Sequence, residues 1–130
     1  MPVEIQKWIR RADLRANPEK FYVFGDNEAR VGLGGQAAEM RGEPNAFGVA
    51  TLKAPGRFWT DADIERQNKV LTADFWPIAN LLNSGATVVF PEDGIGTGLA
   101  QLEKRAPRTW AHLQKWLDAL GITAALRAVS

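Results

Sequence analysis

The chain has 130 residues, 45% hydrophobic and 24% charged, with a formal net charge of +1. This is the composition of an ordinary folded protein, long enough to bury roughly two thirds of its unfolded surface. It gives no basic field for general nucleic-acid or membrane-surface binding, and having no cysteine and a single histidine excludes disulfides, thiolate metal sites, cysteine nucleophiles and multi-histidine metal centres.

One domain over 1–130 is expected, with no metal and no cofactor. No apolar run approaches the ~20 residues of a membrane span. The N-terminus lacks the apolar core of a signal peptide, so a cytoplasmic location is expected.

Val3, Ile5 and Ile9, with Trp8 beside them, predict a short edge or second strand. Arg10 to Lys20 is charged and closes on the turn signal Asn17-Pro18. Phe21 to Phe24 predicts the first central strand, apolar on both faces as parallel buried strands are. The glycine cluster Gly32, Gly34 and Gly35 follows, then a helix from Gln36 ending at Gly42.

Ala46 to Thr51 predicts another strand, and Leu52 to Trp59 a loop turning at Pro55-Gly56. Thr60 suits a helix cap; Ile64, Leu71, Phe75, Ile78 and Leu82 continue at helical spacing, with Pro77 expected to kink or split the helix. Thr87 to Phe90 is a second buried strand, running into Pro91 to Leu99, a second glycine loop. A last helix carries Leu102 to Leu120, with Pro107 at the start of its main part and Gly121 at its end. The tail from Ile122 reads as a final strand or as disorder. Strands and helices alternate, so the expected class is α/β with a mixed central sheet between helix layers.

Each glycine loop leaves a buried strand and enters a helix, so both should emerge at one edge of the sheet and face each other across a crevice. Glycines let backbone N–H groups approach an anion, and a helix N-terminus adds a favourable dipole. A phosphorylated ligand held by main-chain donors follows. No GxxxxGK[ST] occurs, which excludes a P-loop NTPase. Gly32-Leu33-Gly34-Gly35-Gln36-Ala37 formally fits a dinucleotide fingerprint, but it lies well past the strand and no ribose-binding acid follows at about 20 residues.

Asn27 to Ala37, an asparagine ending a strand ahead of a glycine cluster, resembles the macrodomain pattern. Pro91 to Leu99 is similar to that superfamily's phosphate-binding loop. Phe24-Gly25-Asp26-Asn27 also resembles a group of short bacterial and phage proteins. The resemblance implies a three-layer α/β/α fold that binds ADP-ribose, or a related NAD-derived nucleotide, free or attached to a macromolecule. It places Asn27 at the distal ribose, with Gly25, Gly32, Gly34, Gly35 and Gln36 lining it. Gly94, Ile95, Gly96, Thr97, Gly98 and Leu99 would wrap the phosphates, and Asp13 is an adenine candidate.

Hydrolysis of an ADP-ribosyl linkage is a further implication, with a non-catalytic sensing module as the alternative. Here the pattern is incomplete. Gln36-Ala37-Ala38 stands where some hydrolytic members have an aspartate, and Ala100 where another branch has one. Asp26, Asn27, Lys53 and Asp93 are the catalytic candidates, with Glu39 in reserve, since a positioned carboxylate can polarise a water. Asp26 and Asp93 equally suit turn capping. His112 is expected on the outer or flanking face of the last helix without a role in the site.

Overall fold

The computed structural model describes residues 3–129. Four strands, β1 (Val3–Gln6), β2 (Phe21–Asp26), β3 (Ala46–Ala50) and β6 (Val88–Pro91), form one sheet in the order β1-β6-β2-β3. Every pairing in it is parallel, with Val3 opposite Val88, Phe21 opposite Val88 and Tyr22 opposite Ala46. The expected mixed sheet is therefore corrected to a parallel one. Antiparallel pairing is confined to a small hairpin, β4 (Leu52–Ala54) with β5 (Arg57–Phe58), where a plain loop was expected. Pro55-Gly56 still makes its turn, with Gly56 at φ +72°.

Alternation along the two central strands sends side chains to both faces. Val23, Val88 and Phe90 point into one core with Leu71, Phe75, Ile78, Leu113 and Ile122. Tyr22, Phe24 and Val89 point into a second core with Ile9, Leu14, Ala37 and Met40. Helices therefore cover both faces: α3 (Ile64–Asn83), α5 (Pro107–Ala119) and α6 (Ile122–Ala128) on the first, α1 (Arg11–Ala16) and α2 (Ala37–Met40) on the second. This double coverage explains why β2 and β6 are apolar throughout.

α3 stays one helix through Pro77, which sits on its exposed side. Leu71, Phe75, Ile78 and Leu82 are its buried stripe, and Phe75 stacks on Trp116 of α5 at 5.4 Å between centroids. Ahead of it Thr60 accepts from Ala62 N–H and caps a single 3-10 turn over Asp61–Asp63. The expected last helix is interrupted at Ala106, giving α4 (Leu102–Arg105) and then α5 with Pro107 in its first turn. The tail is helical, neither strand nor disorder. Gly121, at φ +77°, breaks the chain direction so that Ile122 and Leu126 turn back onto the core.

α1 was concealed by its charges, which serve as fastenings. Asp13 closes a capping box with Arg10, and Arg11 and Arg15 bind Glu43 beyond α2. Arg15, then Arg11, hold the Glu43 carboxyl below the usual carboxylate range.

Candidate functional site

The two glycine loops face one cleft of about 530 Å³ at the C-terminal ends of β2 and β6. An added Cβ on Gly34 would come within 3.0 Å of Leu99 Cδ1, so the loops approach each other directly. Gly25, Asp26, Asn27 and Gly32 to Gln36 line one side, and Asp93 to Leu99 the other, as expected from their placement after parallel strands. Four of the exposed large apolar side chains, Trp8, Val31, Leu33 and Leu99, sit around its mouth.

The second loop is a run of free main-chain donors. Among the described residues, none of the consecutive amide N–H groups from Ile95 to Ala100 has a protein acceptor. Ile95, Gly96 and Ala100 are buried, and an unpaired buried amide costs about as much as a lost hydrogen bond. The loop keeps its shape by other means. Gly94 N–H donates to Pro91 O, the Thr97 hydroxyl to Asp93 O at 2.8 Å, and Leu102 N–H to Gly96 O at 2.9 Å. Gly96 takes φ +74°, and a Cβ there would press on Leu102 and Thr51, so only glycine fits. The helices that follow the loops, α2 and α4, are single turns. So no long helix dipole backs the loop amides.

The first loop is tied down side chain by side chain. Asp26, buried at the end of β2, accepts from Arg41 Nη2 at 2.6 Å, from Arg41 Nη1 at 3.3 Å and from Asn27 N–H at 2.8 Å. Arg30 stands 3.6 Å away and binds Asp74 of α3 with two hydrogen bonds. Asn27 donates to Val31 O at 2.8 Å and accepts from Val31 N–H, closing the turn. Gln36 lines the cleft, yet its amide is committed to both Ile9 N–H and Ile9 O. Glu28 accepts from buried Trp59 Nε1 at 2.7 Å and from Arg66 of α3.

These contacts sort the catalytic candidates. Asp26 and Asn27 line the cleft, but both spend their polar atoms on the loop. Lys53 is not among the lining residues: on β4 it alternates away from Leu52, and its Nζ lies 3.6 Å from Asp63. Asp13 and Glu39 also lie outside the cleft, bonded to the α1 segment through Arg10 N–H and Arg11 N–H. Asp93 is the lining carboxylate with no ion pair or hydrogen bond to another described residue.

Lys7, Trp8 and Arg41 also line the cleft and were not foreseen. Trp8 and Lys7 arrive there because Gln36 pins the adjoining Ile9. No sequence pattern marks that contact. Arg41 carried a faint signal, as a basic residue directly after the glycine-loop helix. His112 keeps its place on α5, away from the cleft. Among the described residues, no group of three or more His, Asp or Glu is placed to hold a metal, and no helix is long and apolar enough to cross a membrane.

The chain belongs to a family of unknown function (DUF7831), whose model matches residues 4–116. No curated protein and no solved structure matches it.

Proposed function

We propose that this chain is a macrodomain-like protein that binds ADP-ribose, or a related NAD-derived nucleotide, in the cleft between its two glycine loops. The observation that carries the reading is the run of unpartnered amides from Ile95 to Ala100 on cleft-lining residues. Such a run suits a phosphate oxygen without a bound cation. Trp8 offers a flat apolar face for the base, and the first loop holds the ribose and second phosphate.

Binding is favoured over hydrolysis by one feature: Asp26 is neutralised by Arg41 rather than free to polarise a water. Asp93 is the carboxylate left for that chemistry.

Gly98→Val tests the site without disturbing the fold, because a Cβ there meets nothing within 4 Å. Calorimetry should give ADP-ribose binding by the wild type and its loss in Gly98→Val at unchanged melting temperature. No binding by the wild type at millimolar ligand rejects the proposal. Turnover is measured as release of ADP-ribose from modified protein or nucleic acid. Wild-type release that Asp93→Asn abolishes, with binding retained, makes the chain a hydrolase. Binding without release makes it a reader.

A further inference from the structure

Arg41 is bonded in a way that charge neutralisation of Asp26 alone does not require. Besides its two contacts to that carboxylate, Nε donates to Gly32 O at 2.8 Å and Nη2 to Val31 O at 3.2 Å. The guanidinium lies over the Phe24 ring, 5.6 Å from its centroid, and is only 21% exposed. One side chain therefore gathers two consecutive carbonyls of the first glycine loop. In a trans peptide the N–H points opposite to the C=O. Fixing the Val31 and Gly32 carbonyls on Arg41 turns the next two donors, Gly32 N–H and Leu33 N–H, away from it. Neither has a protein acceptor, and both residues line the cleft. Gly32 turns the chain here at φ +90°, a conformation glycine adopts without the Cβ penalty.

We infer that Arg41 is the positioning residue of the first loop: it orients the Gly32 and Leu33 amides as a second anion-binding pair opposite Ile95 to Ala100. Asp26 acts through it, holding the guanidinium in place and cancelling its charge. The orientation of the loop stands on geometry alone; its use in binding rests on the nucleotide reading proposed above.

Arg41→Lys separates positioning from mere support. An ammonium keeps an ion pair with Asp26, but it lacks the planar fork that spans a carboxylate and two carbonyls. The variant should stay folded, with a melting temperature near that of the wild type. Its affinity for ADP-ribose should fall by about tenfold or more, as for a lost charge-assisted contact. In amide NMR spectra of the free protein, Gly32 and Leu33 should shift while Ile95 to Ala100 stay in place. Wild-type affinity, or unshifted Gly32 and Leu33 amides, would overturn the inference; so would full rescue by lysine of a binding defect seen in Arg41→Gln. If the wild type binds no ADP-ribose, the nucleotide reading falls, and the amide shifts still decide whether Arg41 orients the loop.

Discussion

His112, the lone histidine, titrates where no other side chain of this protein ordinarily does. Its Nε2 is buried without a hydrogen-bond partner. Burial, with the nearby Lys115 charge, lowers its pKa from 6.5. The unfolded chain takes up a proton near that value and the folded chain resists it, so stability is full above the unfolded pKa and falls as the pH drops below it. The melting temperature should decline as the pH falls through about 6.5, before most carboxylates titrate. His112→Gln should flatten that decline, and an unchanged slope would refute the assignment. The sequence placed it on an outer or flanking face of the last helix; the residue is partly buried there, with its Nε2 covered. Helical spacing locates a side chain on the helix circumference, but not how deeply its neighbours cover it. Gln36 shows the same limit: the resemblance placed it at the ligand and it does line the cleft, while its amide is taken at both ends by Ile9, 27 positions away.

At the scale of elements, the first glycine loop behaves as a braced segment. Arg30 and Glu28 tie it to α3, Arg41 ties it to the helix that follows, and Asn27 closes its turn. Bracing of this kind holds a loop's main-chain donors in one arrangement, and a loop ordered beforehand would not pay that ordering on binding a ligand. Glu28→Gln keeps an acceptor for Trp59 and should cost little in a thermal melt. Glu28→Ala leaves a buried indole N–H unpaired and should destabilise by about 1–3 kcal/mol; equal melting temperatures for the two would show that the brace carries no load. Both loops were legible from sequence because glycine after an apolar strand has few other uses. The hairpin at Leu52 to Phe58 was hidden by brief strands around a Pro-Gly turn, and with it the outward alternation that takes Lys53 to Asp63. The apolar runs of β2 and β6 pointed to strands buried on both faces, as in a parallel sheet, but the partly buried β1 and β3 carried no such mark of their direction.

For the molecule as a whole, α6 completes the core that α3 and α5 begin. Ile122 is fully buried, and Leu126 packs against the same cluster as Val3 and Ile5 of β1. Ile122→Ala should cost about 2–5 kcal/mol in chemical denaturation, with the midpoint moving to lower denaturant; a cost near zero would mean that α6 is peripheral. The strand order carries a consequence in time. β6 lies between β1 and β2, and Val3 meets Val88 across most of the chain length. During synthesis β1 and β2 emerge early, but neither can find its shared neighbour until residues 88–91 have left the ribosome. Without β6, β1 and β2 would each present an open strand edge. The first loop borders the gap between them and the second follows the strand that fills it, so β6 completes the sheet and the cleft in the same step.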